Sequence, residues 1–165
     1  MKYLLILLLT GPLALQAQDC RLIRDTDPYT KETKLSSGFI ALDGASVTID
    51  ADSRELIVLF TLEGALKCLD NNSVADVYFE GIKSKTMARN GGTMNCEGLF
   101  QFVFRNSRST PTTLLQRMCT RKITHIQFAK EQGATPFTVT VGPKEQEALM
   151  VLSNCILNEG RSLLR

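Results

Sequence analysis

His125 is the only histidine in a chain of 165 residues, so any imidazole chemistry must be built around it. The chemistry it could serve is thiol nucleophilic catalysis, in which an imidazole within hydrogen-bond reach activates a cysteine. Cys96 and His125 are the pair that would form such a dyad. The competing reading makes Cys96 a structural cysteine and His125 an ordinary strand residue. It is preferred, because a dyad is defined by geometry rather than by composition. No serine lies in a Gly-x-Ser-x-Gly turn, so the hydrolase elbow is absent. Neither Cys-x-x-Cys nor His-x-x-x-His occurs, so closely spaced zinc ligands are absent too.

Two carboxylate pairs, Asp25/Asp27 and Asp50/Asp52, superficially resemble calcium loops. An EF-hand needs glycine at loop position six and glutamate at position twelve. Counting from Asp25 those places hold Thr30 and Ser36; counting from Asp50 they hold Glu55 and Thr61. Both pairs read better as solvated turn carboxylates. Asn90-Gly91-Gly92 lacks the Gly-Lys-Ser/Thr element of a phosphate loop and reads as a turn. No cofactor and no metal is implied.

Charge is segregated along the chain. Seven acidic residues against Arg54 and Lys67 give residues 50–81 a net charge of −5, whereas residues 82–130 carry nine cations against Glu97 alone, a net of +8. Within the basic stretch, Lys83, Lys85, Arg105, Arg108, Arg117, Arg121 and Lys122 are the candidate anion-binding set, for an anionic polysaccharide or a lipid headgroup. The competing and favoured expectation is that adjoining acidic and basic strands pair their charges across a sheet. Aromatic residues are not interleaved with these cations as a base-stacking platform would require, which argues against nucleic acid.

The N-terminus supplies an address. Lys2, the apolar run Leu4 to Leu9, the break at Gly11-Pro12 and the small Ala17 follow the order of a cleaved export signal over residues 1–17. That apolar run is far shorter than the roughly 20 residues a spanning helix needs. Residues 18–165 then form a single domain of ordinary size in the periplasm or outside the cell. No second apolar stretch is long enough to span a bilayer.

Such a compartment permits disulfides. The five cysteines are Cys20, Cys68, Cys96, Cys119 and Cys155, an odd count that leaves at least one thiol free or paired between chains. Cys68 with Cys96 is the expected disulfide, because both fall in or beside loops near strand ends. Cys119 and Cys155 lie on apolar helix faces and read as small buried hydrophobes.

These residues must be held by elements whose periods are legible. Residues 19–34 are polar and irregular, with a turn at Asp27-Pro28. Gly38–Leu42 and Ser46–Asp50 read as a hairpin about Asp43-Gly44, a pair that tolerates positive φ. Leu56–Phe60 is apolar throughout, the mark of a central strand covered on both faces. Val74–Glu80 alternates, and Gly81 bends the chain into a strand over Ile82–Met87. Phe100, Phe102 and Phe104 share one face of another strand. Ser109 or Thr110 is expected to cap a helix bearing Leu114, Leu115 and Met118. Ile123–Phe128 and Pro136–Val141 form a hairpin about Glu131-Gln132-Gly133, with His125 on the Ile123/Gln127 face. Gly142-Pro143 opens a helix whose apolar face runs from Ala148 to Ile156 and which Gly160 ends. Consecutive strands with two late helices predict an α+β domain, mostly antiparallel sheet with two helices packed on it; a barrel or sandwich with added helices is the alternative.

Asp27-Pro28-Tyr29-Thr30, the strand Lys122-Ile123-Thr124-His125-Ile126-Gln127 and the helix from Glu147 through Cys155-Ile156 resemble elements of an uncharacterised family of small exported proteins of Gram-negative bacteria. Gln127 stands where that pattern has arginine. The resemblance implies an exported β-rich domain and brings no catalytic residues. The leading expectation is therefore a non-enzymatic exported protein that binds a partner, such as an envelope protein, or serves a structural role.

Overall fold

The computed structural model describes residues 20–64, 68–105 and 111–163. The expected export signal, Arg108 and the two expected cap residues Ser109 and Thr110 lie outside these. Ten strands and two helices follow in the order β1 (Ile23–Thr26), β2 (Thr33–Ser36), β3 (Ile40–Leu42), β4 (Ala45–Ala51), β5 (Glu55–Leu62), β6 (Val74–Phe79), β7 (Thr86–Arg89), β8 (Leu99–Arg105), α1 (Thr113–Thr120), β9 (Ile123–Ala129), β10 (Phe137–Thr140) and α2 (Pro143–Leu163). The α+β expectation holds, with the strands divided between two open antiparallel sheets. One runs β1-β2-β4-β5-β8, with β3 also on β4, and the other runs β10-β9-β6-β7.

The inner faces of the sheets meet through phenylalanine. Phe60 on β5 and Phe100 on β8 each approach Phe128 on β9, with ring centroids 5.3 and 5.1 Å apart. Edge-on and tilted ring pairs of this kind add about 0.5–1.5 kcal/mol each beyond the area they bury. Leu114, Leu115 and Met118 of α1 and Leu149, Ile156 and Leu157 of α2 join the same cluster, so one core serves both sheets and both helices.

Several elements depart from their sequence pattern for identifiable reasons. Residues 23–36 are a β1–β2 hairpin rather than irregular chain; β1 is exposed throughout, so no buried face imposes alternation. At its turn Asp27 accepts the backbone N–H groups of Tyr29 and Thr30. Helix α1 is capped by Thr112, whose hydroxyl accepts the Leu115 N–H. The strand after Gly81 is β7, starting at Thr86 rather than Ile82. Helix α2 runs through Gly160 to Leu163. There Gly160 faces the floor of β4, where a Cβ would lie 3.7 Å from that of Ala51.

Two disulfides brace this frame. Cys68–Cys96 is the expected one, and it flanks the isolated bridge between Leu69 and Asn95. Cys20–Cys155 was not expected and corrects the reading of Cys155 as a buried thiol: it ties the chain ahead of β1 to the middle of α2. Arg24 and Glu159 form an ion pair at 3.1 Å between the same two elements. Cys119 is the free cysteine.

Candidate functional site

Strand β5 decides where a ligand could sit. Leu56, Val58, Phe60 and Leu62 point into the core, while Ile57, Leu59 and Thr61 point out and stay half-buried. Leu56–Phe60 is therefore covered on one face only, which corrects the expectation of cover on both. The helices lie on the core side, where Leu35 and Ala51 are buried, so the outward apolar residues of β5 belong to an open sheet face.

Strand register converts that face into rows. Ile23, Ser36, Asp50, Ile57 and Val103 are successive cross-strand partners over β1, β2, β4, β5 and β8. Thr48, Leu59 and Gln101 form the next row. On the other side lie the pairs Asp25–Lys34 and Glu55–Arg105. Two adjoining hollows of about 370 and 410 Å³ sit over these rows and share Ile23, Ser36 and Asp50. Phe39 overhangs the second at 84 % exposure, and Ile23 is 59 % exposed. Exposed Ile23 and Phe39 beside half-buried Ile57 and Leu59 make this face a candidate binding surface.

The polar lining of the first hollow is mostly acidic, with Asp25, Asp50, Asp52 and Glu55 against Lys34. Asp50 stands between Ser36 and Ile57 in an otherwise weakly polar row, and its Oδ2 accepts the Thr48 hydroxyl at 2.9 Å. At the rim, burial pushes the Asp52 carboxyl up, but the Glu55 and Arg54 backbone N–H groups outweigh it and hold the pKa below the ordinary carboxylate value. Glu55 is joined to Arg105 at 3.1 Å. The lining can therefore desolvate an apolar group and offer an acceptor or negative charge beside it.

His125 lies elsewhere, on the outer face of the four-stranded sheet. Its ring stacks on Tyr78 at 4.2 Å, and its Nδ1 is 3.1 Å from the Thr124 hydroxyl. Tyr78 in turn donates to Gln127 at 3.2 Å. A register shift between Tyr78 and Phe79 sets Ile123 opposite Phe79 in the core. His125 and Gln127 share the outer face without Ile123, contrary to strict two-residue alternation. Cys96 is bonded to Cys68, so while that bond stands it offers no thiol for His125 to activate.

The candidate anion-binding set is dispersed among partners. Lys85 meets Asp76 at 2.6 Å, Arg105 meets Glu55, and Lys122 meets Glu147 at 2.8 Å. Arg117 donates to the Thr86 hydroxyl. Hydrogen bonds donated to the Asp76 and Glu147 carboxylates raise the pKa of Lys85 and Lys122, respectively. Lys83 and Arg121 are exposed. The Lys85–Asp76 and Arg105–Glu55 pairs join the basic stretch to the acidic one, as charge pairing between neighbouring strands requires.

The trough was not among the residues singled out from sequence, though its signal is present. In a sheet with one buried face, an uninterrupted apolar run such as Leu56–Phe60 must place every second residue outside the core. No family model, curated protein or solved structure matches the chain. Among the described residues, no cluster of His, Cys, Asp or Glu is placed to hold a metal ion, and no helix is long and apolar enough to cross a membrane.

Proposed function

We propose that this chain is an exported, non-enzymatic binding protein that works in the periplasm or outside the cell and holds its partner on the open face of the six-stranded sheet. The carrying observation is the trough itself: Ile57 and Leu59 floor a face on which, among the described residues, no helix packs, with Ile23 and Phe39 exposed beside it. Two disulfides within one domain support an oxidising compartment, because reducing cytosol keeps such bonds open.

The test places a photo-crosslinking side chain at Leu59 and, as a control, at Thr138 on the other sheet, in protein exported by its native host. A discrete adduct from Leu59, absent from Thr138 and lost on Ile57→Lys, is the expected result. Equal labelling from both positions would overturn the reading. So would turnover of any substrate that disappears with His125→Ala.

A further inference from the structure

The edge of β8 is closed over half its length and open over the rest. The Leu99 N–H goes to the Asn95 side-chain oxygen, and the Gln101 N–H goes to that of Asn90. The Gln101 carbonyl accepts the Gly91 N–H at 2.8 Å. Two asparagine side chains thus stand in for a neighbouring strand along Leu99–Gln101. Outward backbone groups recur every second residue on an antiparallel edge, so Val103 and Arg105 turn their N–H and C=O groups to the same side, where no strand among the described residues pairs with them.

The edge strand of the other sheet faces this gap. Asn90 donates its N–H inward to the Ser73 carbonyl, which fixes the phase of β7. Arg89 and Met87, one and three residues earlier, therefore direct their N–H and C=O groups away from β6. The two edges are pinched together at Gly91, where any Cβ would fall 2.5 Å from a Val103 methyl. Beyond that pinch they part around a cleft of about 410 Å³, walled by β7 and β8 and closed at one end by the start of α1.

We infer that this cleft is a strand-addition slot: an extended acidic peptide segment enters between β7 and β8 and bonds its backbone to Met87, Arg89, Val103 and Arg105. Strand addition draws affinity from main-chain hydrogen bonds and specificity from alternate side chains. Charge sets the occupant. No carboxylate lines the cleft, whereas Arg89 stands in its wall. Arg105 ends one strand with its side chain 75 % exposed and paired to Glu55 in a rim ion pair with which an incoming carboxylate competes, and Arg117 reaches Thr86 at the start of the other. Carboxylates on alternate residues of the incoming strand meet Arg89 and Arg105 on the outer face, which Val103 shares, while apolar residues between them face Phe102, Phe104 and Leu114 on the core side. The slot adjoins the trough at Val103 and at the Arg105–Glu55 pair, but its backbone bonds are to the β7 and β8 edges and do not depend on the trough being occupied.

The probe is a peptide alternating glutamate with valine, added to the oxidised full-length mature protein, with amide hydrogen exchange read residue by residue. Exchange at Met87, Arg89, Val103 and Arg105 should be fast in the free protein and slow by at least about tenfold with peptide, as bonded edge amides do. A lysine–valine peptide should have no effect. Reversing Arg89→Glu together with Arg105→Glu should exchange the preference between the two peptides. A fully backbone N-methylated glutamate–valine peptide keeps the charge and the carbonyl acceptors but cannot donate to the outward carbonyls of the two edges and is too bulky to lie between them, so it should protect these amides far less at the same concentration. Equal protection by that peptide would show that no paired strand is needed and overturn strand addition. Protection already present in the free monomer, or acquired only through self-association into a dimer, would equally overturn the acidic-peptide slot.

Discussion

Removing the Cys20–Cys155 bond is the most informative single perturbation of this fold. The bond joins residues 135 apart in sequence. In the chain-entropy treatment, closing so long a loop in the unfolded ensemble stabilises the native state by about 5 kcal/mol. Cys68–Cys96 spans 28 residues, and the same treatment gives about 3.6 kcal/mol. A domain of this size has roughly 5–15 kcal/mol of stability in total, so the longer bridge supplies a large part of it. Cys20→Ser is the cleanest change, because Cys155 is buried and remains there as a small apolar side chain.

The assay is urea unfolding under non-reducing conditions, comparing wild type, Cys20→Ser and Cys68→Ser. With a slope near 2 kcal/mol per molar, a loss of about 5 kcal/mol moves the midpoint down by roughly 2.5 M. The slope itself should rise in Cys20→Ser, since an unclosed chain exposes more surface when unfolded. Cys68→Ser should cost less. The reasoning fails if Cys20→Ser costs under about 1 kcal/mol, or less than Cys68→Ser. It also fails if the midpoint falls with no change in slope, for then the effect would reside in native packing beside the Arg24–Glu159 pair rather than in the unfolded chain.

Four further outcomes follow, three from single sites and one from a pair of turn carboxylates. Gly160→Ala should stabilise the protein by about 0.5–1 kcal/mol in thermal unfolding, because its Cβ would make ordinary contact at 3.7 Å inside a helix. Gly98→Ala should destabilise it by more than that, since Gly98 has φ +76° and a Cβ would lie 2.5 Å from the Leu62 carbonyl oxygen. Burial pushes the Cys119 thiol up to about 11, so iodoacetamide at pH 8 should label native protein at least about a hundredfold slower than an exposed thiol; denaturing alkylation should then count one free thiol by mass. Backbone N–H groups lower the pKa of Asp27 through Thr30 and Tyr29, and that of Asp70 through Asn72 and Ser73. The unfolded chain thus binds protons more readily, so this stability is complete above the ordinary carboxylate range and disappears as pH falls through the depressed values. Asp27→Asn with Asp70→Asn keeps an acceptor in each turn and should flatten the fall in urea midpoint between about pH 5 and pH 3.

The strands that sequence makes legible are those with one face buried and one exposed. Val74–Phe79 and Leu99–Arg105 alternate as expected because every second residue enters the shared core. The hairpin at Asp43-Gly44 is equally plain, with Gly44 at φ +75°. Strand β1 left no such trace, because backbone pairing to β2 holds it and no side-chain burial does. The register shift beside Tyr78 is invisible in β9 alone: it belongs to a pair of strands 49 residues apart at the Tyr78–Gln127 bond. The Cys20 partner is likewise a long-range fact, fixed only when α2 crosses β2 and β4. A continuous apolar run such as Leu56–Phe60 signals that apolar residues occupy both faces of its strand, but whether the second face is covered or open depends on what packs on the sheet.

The outer faces of the two sheets divide the molecule by use. On the four-stranded sheet, Tyr78, His125, Gln127 and Thr124 hydrogen-bond and stack among themselves, and Lys85 is paired to Asp76. A ligand arriving there must displace existing bonds before making its own, which lowers its net gain. The six-stranded sheet offers Ile57, Leu59, Ile23 and Phe39, whose only competitor is water, so covering them is favourable at about 25 cal/mol per Å². Asp50 adds direction without opposing this, because Thr48 already orients its carboxylate at 2.9 Å. A surface of exposed apolar groups beside an oriented carboxylate retains its interaction energy for a visitor, and for that reason the proposed partner site is placed on this sheet rather than beside the lone histidine.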